Sequence, residues 1–220
     1  IFRANSDGSS EVNVTNNSTW AGWKSQFFDL PYSGASFVYS AGGTSNDNRQ
    51  IIKYDIAEAT ETILFSTTTG SVKTPVISPD GNTIAYFTGC SSSTCKNLVF
   101  INSSGQSLRI TMNSSYYPSI CAGAWSPDSD KFAVMERMNI VIYTMSSKEK
   151  KTILTADSSN IYLVTDWSAD GSRLAGVKLV LSGQSGFGNA ILFNPDGTGL
   201  TQLTNYTSAD TVVSRALFAR

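Results

Sequence analysis

The residue types that carry most enzyme chemistry are sparse in this chain, and one is missing: its 220 residues include no histidine. A Ser-His-Asp triad, a Cys-His pair and any histidine-ligated metal site are therefore excluded. Carboxylates stand at Asp80, Asp128, Asp170 and Asp196, but each falls in a turn-like stretch where local hydrogen bonding is its expected work. Glycoside hydrolysis would need two of them about 5–10 Å apart in a cleft. The run Leu181-Ser182-Gly183-Gln184-Ser185-Gly186-Phe187-Gly188 has no lysine and leads into a strand pattern, so it reads as a flexible hairpin loop and not a phosphate cradle. No turn places a ligand at every second residue as a calcium loop does, which leaves calcium in the Asp/Asn-rich turns a weak option. The expectation is a chain without catalytic residues, resident metal or cofactor.

Cys90 and Cys95 bracket a Ser-Ser-Ser-Thr loop between two strand-like runs, where a disulfide could clamp a hairpin. Cys121 sits in an apolar run and reads as a buried thiol. Three cysteines at this spacing, without histidine, make an incomplete zinc set. Glycosylation-type triplets begin at Asn13, Asn16, Asn17, Asn102, Asn113 and Asn205, as a Ser/Thr/Asn-rich chain also generates by chance. Sixteen basic residues against 17 acidic ones leave no net field for a nucleic-acid backbone or an anionic membrane. No apolar run approaches the roughly 20 residues of a bilayer span. The absence of a leading methionine or signal-like segment reads as a mature or excised chain, and the set of features as a secreted, periplasmic or cell-surface protein.

These residues are carried by a repeat. The stretch Thr74 to Thr111 reads as an apolar run, the turn Ser78-Pro79-Asp80-Gly81, and three more β-rich segments. Proline pre-sets φ in a type I turn, Asp80 bonds nearby backbone, and Gly81 takes the left-handed conformation that closes a hairpin. Its segments are Thr74–Ile77, Thr83–Thr88, Asn97–Asn102 and Ser107–Thr111. The preceding unit runs Gln26–Leu30, Ser36–Ser40, Arg49–Asp55 and Glu61–Phe65, with Pro31-Tyr32-Ser33-Gly34 in the turn position. A third runs Cys121–Trp125, Lys131–Glu136, Asn139–Thr144 and Lys150–Leu154, and a fourth Leu163–Trp167, Arg173–Leu179, Asn189–Asn194 and Leu200–Thr204. Pro31, Pro79, Pro127 and Ala169 recur 48, 48 and 42 residues apart. Four strands per unit of 40–50 residues is the sign of a β-propeller. The expected fold is thus all-β: a single β-propeller domain over residues 1–220, with four complete four-stranded antiparallel blades at about 25–66, 74–112, 121–155 and 163–204.

Two strand-like pieces at Ile1–Ala4 and Glu11–Thr15 and a last one over Thr211–Arg220 would combine into an incomplete composite fifth blade lacking its second strand. Alternatively the array is part of a larger propeller. Strand residues such as Ile84, Tyr86, Val99, Phe100, Ile101, Phe132, Val134, Ile140, Ile142, Tyr143, Leu174, Ile191, Leu192 and Phe193 are the types such sheets bury.

Several of these stretches resemble a known family. Ser78-Pro79-Asp80-Gly81-Asn82-Thr83-Ile84-Ala85-Tyr86, Trp125-Ser126-Pro127-Asp128, Trp167-Ser168-Ala169-Asp170-Gly171 and the endings Asn102-Ser103-Ser104-Gly105 and Asn194-Pro195-Asp196-Gly197 are similar to the TolB-type WD-like propeller repeat. The resemblance covers nearly the whole chain and implies the fold. Such repeats occur in the periplasmic TolB protein, in the propellers of prolyl-oligopeptidase-like peptidases and in many exported proteins of unassigned role, so the resemblance does not imply one function.

In a propeller the first strands line a central channel, and the loops leading into them share a face with those joining second and third strands. That face would collect Trp20, Trp23, Tyr116, Tyr117, Tyr162 and Tyr206, with Ala41–Asn48, Gly89–Lys96 and Leu181–Gly188. Tyrosine and tryptophan bring large contact area at small rotamer cost. The very short loop at Arg137–Met138 should make the face uneven. Three readings follow: a protein-interaction scaffold, a structural subunit of a larger extracellular assembly, and a carbohydrate-binding propeller. Another protein is the expected partner and a glycan the alternative, with no nucleic acid and no membrane insertion.

Overall fold

The computed structural model describes residues 2–4, 7–13, 24–31, 34–42, 49–91, 94–111, 115, 123–182, 185–207, 213 and 215–218. Its first sheet is a two-stranded ladder, β1 (Phe2–Arg3) with β2 (Val12–Asn13). Four antiparallel four-stranded sheets follow, each taken in chain order. They are β3–β6 (Lys24–Asp29, Ser36–Ala41, Gln50–Asp55, Thr60–Ser66) and β7–β10 (Ser71–Ile77, Thr83–Cys90, Cys95–Asn102, Ser107–Thr111). Then come β11–β14 (Ala124–Trp125, Lys131–Glu136, Asn139–Thr144, Lys150–Leu154) and β15–β18 (Asn160–Trp167, Leu174–Ser182, Ser185–Phe193, Thr201–Gln202). No helix occurs among the described residues. These are propeller blades.

The corner turn joins first to second strand by a bond set that the sequence chemistry dictates. Gly81 N–H donates to the Ser78 carbonyl (2.8 Å), and Ser78 N–H to the Thr83 carbonyl (2.7 Å). The Ser78 hydroxyl donates to Asp80 Oδ1 and accepts from Thr83 N–H (2.9 Å), while Asp80 Oδ1 accepts from Asn82 N–H (3.0 Å). Ser126 with Asp128, and Ser168 with Asp170, repeat the set. Gly81 and Gly171 are left-handed (φ 75° and 76°). At the third corner Ser129 adopts φ 62° where the others carry glycine. The first turn needs a correction of register: Gly34 N–H bonds the Pro31 carbonyl (3.0 Å). Pro31 therefore stands at the Ser78 position, not the Pro79 position, and no serine hydroxyl is available there.

Blades pack on one another through mixed aliphatic and aromatic layers. Phe100 of the second blade meets Trp125 and Phe132 of the third edge-on, with ring centroids 5.8 and 5.6 Å apart. Met135, Ile140 and Ile142 of the third blade share a cluster with Leu163, Trp167 and Ile191 of the fourth. The expected core strand residues are buried, apart from Leu192, which is half-buried.

The corner aspartates also set an acid limit. The Ser168 hydroxyl, then Ser172 N–H and hydroxyl, hold Asp170 down to about 2 from an ordinary 3.8. The Ser126 hydroxyl does the same to Asp128, more weakly because partial burial opposes it. Carboxyls depressed in the fold contribute stability that is complete above about pH 4 and is lost as pH falls toward about 2. The urea midpoint should therefore be flat above about pH 5 and drop between about pH 4 and 2. Ser168→Ala should remove part of that drop.

Candidate functional site

Among the described residues, the loop face and the channel end beside the corner turns are the candidate sites. On the loop face, Trp20, Trp23, Tyr116 and Tyr117 lie outside the described residues, as do Cys121 and most of Ala41–Asn48. Tyr162 is not in an incoming loop. Asp157 Oδ1 accepts from the N–H groups of Ser159 and Asn160 (both 2.7 Å), which ends the loop early, so β15 starts at Asn160 and takes Tyr162 into the ladder opposite Lys178. Its ring is half-buried against the core of blades three and four. Tyr206 does lie in a connection. Its backbone is held by the buried Asn189 amide, which accepts from Tyr206 N–H (2.7 Å) and donates to its carbonyl (3.1 Å). The ring is left exposed.

The hairpins between second and third strands differ sharply in reach. The strands reach further into the expected loops Gly89–Lys96 and Leu181–Gly188 than their composition suggests: β8 and β9 run to Cys90 and Cys95, and β16 and β17 to Ser182 and Ser185. Alternating apolar residues extend the pairing beyond what glycine and serine content suggests. In the third blade β12 and β13 stop at the two-residue turn Arg137–Met138, both left-handed (φ 50° and 69°). The face thus carries two tall hairpins on either side of a short one.

Cys90 and Cys95 pair directly across the end of the β8–β9 hairpin and are joined as a disulfide. The inner strand is tied to that end: the Ser71 hydroxyl donates to the Cys90 carbonyl (3.3 Å) and the Lys73 ammonium to the Ser91 carbonyl (2.9 Å). Closing so small a loop is worth about 2 kcal/mol. Replacing both cysteines by serine, or adding a dithiol reductant, should each lower the melting temperature by roughly 5 °C.

The channel end beside the corner turns holds a cavity of about 70 Å³, lined among others by Asp29, Val76, Trp125, Thr165, Asp166 and Arg215. Asp29 and Asp166 occupy one register position in different blades, each two residues before the first residue of its corner. Both splice neighbouring inner strands. Asp29 Oδ2 accepts from Ile77 N–H (2.9 Å), and Asp166 Oδ2 from Phe218 N–H (2.9 Å), with Asp166 Oδ1 taking Trp167 N–H. Their described bonds go to backbone amides, so these carboxylates hold strands together at the mouth of a small polar cavity. Sequence reasoning passed over them. The signal was the recurrence of aspartate at the same step before the corner in Phe28-Asp29-Leu30-Pro31 and Thr165-Asp166-Trp167-Ser168.

No protein-family model matches the chain, and no curated protein matches it. Solved structures do. An oligogalacturonate lyase in complex with manganese is 12% identical at a TM-score of 0.69, with 96% of this chain covering 61% of that one. Oligogalacturonate lyase from Vibrio parahaemolyticus gives 14%, 0.66, 96% and 61%. A structure described as TolB from Agrobacterium tumefaciens gives 14% and 0.56, with 82% of this chain and 61% of that chain covered. The chain therefore spans about three fifths of their length. At such identity the likeness shows the fold, a propeller, and nothing of the chemistry.

Proposed function

We propose that the chain is a non-catalytic, TolB-like binding scaffold that works outside the cytoplasm and engages another protein through its loop face. The observation that carries the reading is the stepped relief of that face. The β8–β9 and β16–β17 hairpins stand tall, the Arg137–Met138 turn between them is short, and Tyr206 is exposed on a backbone fixed by Asn189. An exposed aromatic on a fixed backbone, on a face of uneven height, suits docking of a folded partner. The cross-strand disulfide supports an oxidising compartment, and the lack of histidine supports a role without acid–base chemistry of the common kind.

A photo-crosslinking residue at position 206, expressed in the source cells, tests this. The expected result is one dominant protein adduct, lost when the β16–β17 hairpin is shortened. A chain that gives no protein adduct but is retained by a pectic or other glycan array would overturn it in favour of carbohydrate binding.

A further inference from the structure

The two tall hairpins flank the Arg137–Met138 turn, and strand alternation says which side chains look toward it. On blade two, Phe87 and Leu98 belong to the surface packed against Trp125 and Phe132 of blade three. Lys73 pairs with Phe87, and Lys96 precedes Leu98 by two residues, so both lysines share that surface. On blade four, Leu174 belongs to the surface packed against Met135 and Ile140 of blade three. Lys178 follows Leu174 by four residues on the same strand and faces the same way. Counted from the corner serines, Lys178 stands level with Glu136, and Lys96 lies between the partners of Thr88 and Cys90, level with Arg137. Four cations thus surround the short turn: Lys73, Lys96 and Lys178 from the walls of a notch and Arg137 from its floor.

Little acid offsets them. Glu136 is 5% exposed and already accepts from the Tyr143 hydroxyl (2.7 Å) and the Lys150 ammonium (3.2 Å). Among the described residues at this end of blades two to four, Asp157 is the one exposed acid, and its carboxylate holds the N–H groups of Ser159 and Asn160. Residues 91–94, 112–122 and 183–184 add no charge of either sign. The chain's acids gather at the opposite end, where Asp80, Asp128, Asp170 and Asp196 bind their own turns. A chain of net charge −1 therefore presents a positive notch on its loop face. One of its cations is pre-placed, since the Lys73 ammonium donates to the Ser91 carbonyl (2.9 Å).

We propose that this notch receives an acidic segment of the partner protein, a protruding loop that carries several aspartates or glutamates; the inference rests on the loop-face reading above and names the chemistry of what docks there. Like-signed walls and floor steer an acidic segment in and reject a basic one. Met138, exposed in the floor turn, adds an apolar contact beneath it.

The probe is a fluorescent octapeptide of alternating aspartate and glycine, titrated into the 220-residue chain. Saturable binding is expected, weakened about tenfold as salt rises from about 50 to about 300 mM. Lys96→Gln, on an exposed side chain, should weaken it about threefold, and Lys96→Glu combined with Lys178→Glu should abolish it. Lys151→Glu, near the corner end, should leave it intact, and a lysine–glycine octapeptide should not bind. No binding, equal binding by the double variant, or tighter binding of heparin or single-stranded DNA than of the acidic peptide overturns the proposal. The two readings fail separately: a chain that binds the peptide but gives no protein adduct at position 206 loses the loop-face partner, and one that gives the adduct but ignores the peptide loses the acidic segment.

Discussion

Gly197→Ala should be among the most damaging single-methyl changes in the chain, costing about 3–5 kcal/mol and lowering the melting temperature by roughly 10 °C. Two independent effects act together. Gly197 is left-handed (φ 91°), where a Cβ is strained. That Cβ would also overlap the Ile153 carbonyl oxygen on the outer strand of the preceding blade, a backbone atom that cannot swing aside. The turn between third and fourth strands of one blade thus rests on the edge of its neighbour. Gly105 makes the same approach, its Cβ position 2.6 Å from the Leu64 carbonyl oxygen. Thermal unfolding of Gly197→Ala beside Gly8→Ala, which is left-handed but meets nothing within 4 Å, separates the two effects. A loss no larger in Gly197→Ala than in Gly8→Ala would show that the blade contact carries no weight.

Asp166→Ala should cost about 2–4 kcal/mol, because it strands the N–H groups of Trp167 and Phe218 in a setting where the aspartate itself is 4% exposed. The loss should be local before it is global. Amide exchange at Phe218 should accelerate most, with little change at Ile77, whose partner Asp29 remains. Asp166→Asn keeps one acceptor oxygen but turns an NH2 toward the other N–H, so it should recover at most about half of that loss. Full recovery in Asp166→Asn would instead show that one acceptor suffices and that the second N–H bond carries no weight.

The architecture was readable because each corner is built from residues whose local chemistry leaves few options. Around Ser126-Pro127-Asp128 the expected strands Lys131–Glu136, Asn139–Thr144 and Lys150–Leu154 coincide with those observed. Where the turn lost its serine, at Pro31, the register slipped by one residue. Where glycine and serine were taken as loop formers, at Gly89 and from Leu181 to Gly188, pairing across the sheet overrode composition: Cys90 opposes Cys95, and Leu181 opposes Gly186. Gly188 shows why a glycine can serve inside such a strand, since its Cβ position is 2.7 Å from the Val213 carbonyl oxygen. It makes room for the incoming segment. Of the six aromatics expected on the loop face, Tyr206 is exposed there and Tyr162 belongs to a strand, a distinction that depends on the Asp157 turn and not on residue type.

The corners touch as well as turn. The Cβ position of Gly81 lies 3.8 Å from the Pro31 ring, and that of Gly171 lies 3.5 Å from Pro127, while Ser129 Oγ accepts the Asp80 N–H (3.1 Å). Each corner is therefore cut to fit the one before it, glycine against proline at two junctions and hydroxyl against amide at the third. Blades that look interchangeable on paper are consequently ordered parts. Transposing the third unit with the second in a shuffled gene would set Ser129 against Pro31 and leave Asp80 without its hydroxyl, so recombination that keeps every strand intact would still produce a poorly seated ring.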